Sequence, residues 1–125
     1  MRNESIILSL RPDLSIVDKE NSSLVEKFQN STLRPILKFQ NDLLMAVVKD
    51  VPHFDQIKHR VSNADEYKSE VIAFLKQQTA LKNQILGLVV AHFTMDEYAE
   101  YSTNRNELNK RIVQMAGERV AVWEL

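Results

Sequence analysis

The segment KFQNSTLRPILKFQN, residues 27–41, decides how the first half of the chain folds. Apolar residues recur at helical spacing on both sides of Pro35. On a helical wheel of about 100° per residue, the centre of this apolar stripe turns by roughly 100° at Pro35. Proline lacks the N–H of a helix and clashes with the preceding turn. We therefore predict a helix near 22–50 that is kinked or broken at Pro35, with Thr32 as the cap of its second part.

The same segment contains the tetrapeptide KFQN twice, 11 residues apart. Eleven residues come within about 20° of three full helical turns. Phe28 and Phe39 are therefore expected on one flank of the helix, while Lys27 and Lys38 face water. We interpret the repeat as a packing pattern. A ligand motif with two binding positions is the alternative.

Local capping signals divide the rest of the chain into further helices. Ser23 with Glu26, and Thr94 with Glu97, have the spacing of a capping box, in which side chains satisfy the first N–H groups of a helix. Two Gly and three Pro favour long regular elements. We predict an all-α, up-down helical bundle over residues 21–125, preceded by a short irregular N-terminal arm at 1–20. After the first helix, the expected helices cover 53–61, 64–92 and 95–120.

Composition limits the function classes. The 125 residues are 44% hydrophobic and 26% charged with a net charge of −1, which fits one globular domain. There is no basic excess of the kind that nucleic-acid binders carry. The apolar run at 6–10 is shorter than the about 7–15 residues of a secretion signal and the about 20 of a membrane span. We expect a soluble, cytoplasmic protein that binds neither nucleic acid nor membrane.

The motifs of several catalytic and metal sites are absent. Gly occurs only at 87 and 117, which excludes a phosphate-binding loop, and the lack of Cys excludes thiolate chemistry. His53, His59 and His92 are scattered and lack further ligands at metal-binding spacing. We predict no metal and no cofactor, and we assign no catalytic residue. Gly87 is interpreted as a point of close helix approach or of a slight bend.

A few polar side chains fall inside the predicted apolar stripes. One interpretation is that these long side chains reach the rim of the bundle or meet structural carboxylates such as Glu97 or Glu70. The other is a polar pocket that holds a small anionic metabolite, with a carboxylate bound in two-pronged fashion by an arginine. The candidate ligand-binding residues are Gln40, Gln78, Lys82 and Arg105.

Our preferred interpretation of function is a non-enzymatic helical interaction module that forms a homodimer. The chain has more apolar positions than a small helical core needs, and a second apolar stripe is commonly buried by a partner. Contact with the N-terminal arm is the alternative use of these residues. The surplus positions are Phe74, Leu81, Leu88, Trp123 and Leu125.

Three stretches resemble a family of small uncharacterised all-helical bacterial proteins. They are ENSSLVEKFQNSTLRPILKFQNDLL (20–44), HFTMDEYAEY (92–101) and NELNKRI (106–112), and the resemblance spans roughly residues 20 to 120. Some members carry the label glyoxalase. Glyoxalase I enzymes are βαβββ metalloproteins, whereas this chain has helical patterning and no matching ligand set, so we expect no glyoxalase activity.

Overall fold

The computed structural model describes residues 2–123, and every regular element in that range is helical. This confirms the predicted all-α class. None of these helices is long and apolar enough to span a membrane. The α-helices are α1 (Glu4–Ser9), α2 (Leu24–Phe28), α3 (Arg34–Phe39), α4 (Asn41–Lys49), α5 (Ala64–Gln77), α6 (Thr79–Val90), α7 (Met95–Thr103) and α8 (Arg105–Val120).

The first predicted helix is interrupted twice. A π-helical turn at Gln29–Leu33 separates α2 from α3, and a second break at Gln40 separates α3 from α4. A π-helical turn holds one more residue than an α-helical turn, so it changes the direction in which the side chains after it point from the helix axis. Phe28 is therefore buried against Phe93, while Phe39 stays 45% exposed beside His92. Both KFQN phenylalanines pack against consecutive residues of the turn after α6, but only Phe28 is buried there.

The two later helices were predicted too long. The expected helix at 64–92 divides at Gln78, where every side chain from 76 to 80 is exposed and no core contact holds the helix continuous. The expected helix at 95–120 divides at Asn104. There the side chains of Ser102, Thr103 and Asn104 all donate hydrogen bonds to backbone carbonyls of the preceding turn. Such bonds compete with the helix ladder.

The C-terminal helix α8 lies at the centre and packs against α4, α5, α6 and α7. It runs antiparallel to α5, since Trp123 packs on Tyr67 and Gly117 packs on Ile72. A Cβ at Gly117 would lie 2.5 Å from Ile72 Cγ1 and 3.3 Å from Ile72 Cα. Gly117 is thus the position of close helix approach. Gly87 is exposed with no atom within 4 Å of its Cβ position, so it does not serve the close approach we considered.

The N-terminal arm is tied to the turn between α6 and α7 by polar contacts, and none of the residues in α1 is buried. The Arg2 guanidinium donates to the carbonyls of Ala91 and Phe93, at 3.0 and 2.6 Å. Glu4 accepts from the Met95 N–H at 2.6 Å. Charged side chains, rather than apolar burial, therefore position the start of the chain.

The surplus apolar residues mostly pack within the chain. Phe74 is half-buried against Phe54, Leu81 is buried, Leu88 is half-buried, and Trp123 contacts Tyr67. Leu125 lies outside the described residues. The stripe we expected to meet a partner is therefore largely part of the chain's own core.

Candidate functional site

The four polar residues predicted to form a pocket do not converge. Gln40 lies at the junction of α3 and α4, and Gln78 at the junction of α5 and α6. Gln40 contacts His92, which is 14 residues beyond Gln78, or about 20 Å along a helix. Gln78 and Arg105 are exposed, and Lys82 is half-buried. The proposed ligand role of these residues stays a prediction, but a single pocket cannot contain all four.

The Gln40 amide instead meets an imidazole ring. Its Nε2 lies 2.8 Å from His92 Nε2, and because an amide nitrogen can only donate, the ring nitrogen must accept. Burial lowers the pKa of His92, and the charge of Arg11 lowers it further. Both effects favour the neutral ring that this hydrogen bond requires.

Lys82 lines a cleft between α5, α6 and α8, which we name the basic cleft. Its volume is about 340 Å³. Three ammonium groups and three amides surround it, and no carboxylate is among the lining residues. Two further lining residues are apolar. The lining residues are Lys76, Lys82, Asn83, Leu86, Asn106, Asn109, Lys110 and Val113.

A hydrogen bond orients one amide of the basic cleft. The Tyr101 hydroxyl donates to Asn109 Oδ1 at 2.6 Å, which leaves the NH₂ group of Asn109 free to donate elsewhere. The Arg105 guanidinium lies 5.6 Å from the centre of the Tyr101 ring and donates to the Tyr98 hydroxyl at 3.2 Å. Arg105 therefore stands beside the cleft, held by two tyrosines, and does not line it.

The other dense polar cluster surrounds Glu97. Arg11 binds both oxygens of this carboxylate, at 2.6 and 2.7 Å, and also donates to the His92 carbonyl at 2.7 Å. The Thr94 N–H and the Thr32 hydroxyl donate to it as well. The capping box of Thr94 and Glu97 is confirmed. Thr32 does not cap α3, because its hydroxyl is turned toward this carboxylate.

These contacts give Glu97 a structural role. Burial raises the pKa of its carboxyl group, but the hydrogen bonds and the charge of Arg11 outweigh this effect, so its pKa lies below the ordinary value. A carboxylate held ionised by four donor groups is a poor general base. Glu97 therefore secures the arm and the start of α7, and we assign it no part in ligand binding.

Sequence reasoning missed most members of the basic cleft. Asn106, Asn109 and Lys110 have the three- and four-residue spacing that places side chains on one face of a helix, and this signal was available. Lys76 could not be found in the same way, because the break at Gln78 separates it from Lys82.

Among residues 2–123, no three His, Asp or Glu side chains are grouped so that they could hold a metal ion. Comparison with known protein families, curated proteins and solved structures found no match to this chain. The family resemblance and its glyoxalase label therefore remain untested by these comparisons.

Proposed function

We propose that this protein is a non-enzymatic cytoplasmic binding protein whose ligand is a small anionic metabolite held in the basic cleft. The observation that carries the proposal is the charge of this cleft. Its three lysines line one cleft without a carboxylate among the lining residues, although the whole chain has a net charge of −1. None of the three forms an ion pair within residues 2–123.

The chemistry of the cleft suits a phosphate or a carboxylate. Lysine binds such groups as a point charge with three donors, and the amides add neutral donors of fixed direction. Lys82 is the half-buried member, so its charge is screened less by solvent than that of the two exposed lysines. The cleft offers a place to bind, and no carboxylate, imidazole or hydroxyl group is among its lining residues.

Replacing Lys82 or Lys110 with Met is expected to weaken the binding of pyrophosphate by about tenfold each, since a hydrogen bond to a charged group contributes about 1.5–3 kcal/mol. Isothermal titration calorimetry at low ionic strength measures this. Lys68→Met is the matched control, because Lys68 is an exposed lysine of α5 outside the cleft.

Arg105→Met distinguishes the cleft from the pocket expected from the sequence, since Arg105 stands beside the cleft without lining it. We expect it to retain binding within about twofold. Pyrophosphate that fails to bind the parent protein, or that binds Lys82→Met and Lys110→Met as tightly as the parent, would reject the proposal.

Self-association is the second candidate function, and a different surface favours it. Phe39 and Leu43 are four residues apart, on either side of the break at Gln40, and are 45% and 48% exposed. Lys38 and Asp42 precede them in the chain, are also exposed, and carry opposite charges. A two-fold axis brings the same patch of two copies together, so each lysine can face the aspartate of the other copy. We propose that a second copy of this chain covers Phe39 and Leu43.

For this dimer, Phe39→Asp and Leu43→Asp are expected to convert the protein to a monomer in sedimentation velocity experiments, because each places a charge inside an apolar contact. Leu24→Asp is the control, since Leu24 is 72% exposed and belongs to α2. A parent protein that sediments as a monomer at every accessible concentration contradicts the proposal.

A further inference from the structure

A second cleft lies at the other end of the α5–α8 pair. We name it the tyrosine cleft, after Tyr67. It has a volume of about 300 Å³. Val120 lines it, ten residues or about 15 Å along α8 from Lys110 of the basic cleft, so the two clefts are separate. The lining residues are Met45, Lys49, Phe54, Asp55, Lys58, Tyr67, Val120 and Val122.

The walls of the tyrosine cleft are apolar and its polar groups are few. Met45, Phe54, Val120 and Val122 supply aliphatic and aromatic surface. A mostly apolar cavity with a small number of placed polar groups is the usual form of a small-molecule site, and about 300 Å³ is at the small end of the range. The ligand that fits such walls is therefore small and has an apolar body.

The charges beside the walls determine the polar end of the ligand. Lys49 and Lys58 line the cleft together with one carboxylate, Asp55, which leaves one positive charge in excess. Neither lysine forms an ion pair within the part of the chain that the structure describes. The Lys58 ammonium lies 5.9 Å from the centre of the Tyr67 ring, which keeps it beside the cleft. One negative charge on a ligand would balance this excess.

Tyr67 provides a donor in the same place. Its side chain is only 3% exposed, yet its hydroxyl has no hydrogen-bond partner among residues 2–123. The hydroxyl oxygen is not itself enclosed, so it is open to the cleft that Tyr67 lines and can donate to a ligand there. Burial also raises the pKa of Tyr67, which keeps the hydroxyl protonated and able to donate.

We propose that the tyrosine cleft binds a small monocarboxylic acid with an apolar body, its carboxylate held by Lys49, Lys58 and the Tyr67 hydroxyl. This site is distinct from the basic cleft and does not depend on the proposed function. It also contains its own reporter. Trp123, the only tryptophan of the chain, packs 5.4 Å from Tyr67 and follows Val122 of the cleft wall.

Titration of the full chain with octanoate tests this assignment. We expect saturable binding that changes the Trp123 fluorescence, with 1-octanol, the neutral analogue of equal length, binding at least about tenfold more weakly. Lys49→Gln, Lys58→Gln and Tyr67→Phe should each weaken octanoate binding by about fivefold to tenfold, while the weaker binding of octanol changes less than twofold. Tyr67→Phe retains the ring that contacts Trp123.

Lys68→Gln is the control for charge, because Lys68 follows Tyr67 in the chain but does not line the cleft. Thermal unfolding of each variant with and without octanoate provides a second measurement that does not depend on the fluorophore. The proposal is overturned if octanoate neither changes the fluorescence nor raises the melting temperature of the parent. It is equally overturned if octanol binds as well as octanoate, or if all the lysine variants, Lys68→Gln included, lose affinity to the same extent.

Discussion

Replacing Gly117 with Val is expected to lower the free energy of unfolding by about 3 kcal/mol, and replacing it with Ala by about 1 kcal/mol. A Cβ at this position would lie 2.5 Å from Ile72 Cγ1. The Ile72 side chain can rotate away from that contact, but Ile72 Cα, at 3.3 Å, can move only if α5 and α8 separate. Alanine is less costly because it has no branched methyl groups and because it favours the helix by about 1 kcal/mol over glycine.

Gly87→Ala provides the control in the same protein. Gly87 lies inside α6, is exposed and has no atom within 4 Å of its Cβ position. Only the helix preference remains, so this variant should be more stable than the parent by about 0.5–1 kcal/mol. Urea unfolding followed by circular dichroism measures both effects. The same change in the free energy of unfolding for Gly117→Ala and Gly87→Ala would contradict a close helix contact at Gly117.

A double-mutant cycle identifies the contact itself. Ile72→Ala removes Cγ1, so the loss caused by Gly117→Val should be smaller in the Ile72→Ala background than in the parent. We expect a coupling energy of about 1 kcal/mol or more between these two positions. A coupling near zero would place the strain of Gly117→Val elsewhere.

The parts of the fold that depend on neighbouring residues in the chain could be predicted from the sequence. Ser23 and Thr94 each accept from the N–H three residues later, as the capping signals indicated, and Asn63 does the same at the start of α5. The breaks at Gln78 and Asn104 could not be predicted by the same route. These breaks depend on whether the side chains around them contact the core. A helical wheel carries no information about such contacts.

The polar residues of the predicted pocket illustrate the same limit. A wheel assumes that a helix continues, and Gln40, Gln78 and Arg105 each lie at a junction where it does not. Their position inside an apolar stripe was a consequence of that assumption. A polar residue that interrupts a regular apolar stripe therefore indicates either a helix boundary or a buried polar site. Lys82, the one member inside a continuous helix, is also the one that lines a cleft.

The role of Arg11 was not visible from its local sequence, because its partner is 86 residues away. The side chains of Arg11 and Glu97 are only 9% and 18% exposed. Arg11→Met is expected to cost about 2–3 kcal/mol at neutral pH. It leaves Glu97 charged and mostly enclosed, and removing one partner of a buried pair costs up to about 3–5 kcal/mol. Residual solvent access and the hydrogen bonds from Thr94 and Thr32 reduce this figure.

Glu97→Gln is expected to cost a similar amount at neutral pH, because it leaves the enclosed charge of Arg11 without a partner, although glutamine can still form the capping box. Glu107→Gln is the control. Glu107 pairs with Arg111 on α8, but these side chains are 53% and 32% exposed, and such a pair contributes about 0.5 kcal/mol or less. A loss of equal size in Glu97→Gln and Glu107→Gln would mean that burial adds nothing to the Arg11 pair.

Lowering the pH distinguishes the stability that the Arg11–Glu97 contact contributes from the stability that packing contributes. The pKa of Glu97 in the folded protein lies below its ordinary value of 4.5, so the unfolded chain takes up a proton first as the pH falls. The contact therefore contributes its full stability above the ordinary pKa and loses it as the pH falls through the folded pKa. Urea unfolding of the parent and of Glu97→Gln at several pH values from about 6 to 3 should give stability curves that converge toward low pH. Curves that stay parallel over this range would show that Glu97 is not held ionised by Arg11, and the cost of Glu97→Gln would then come from packing alone.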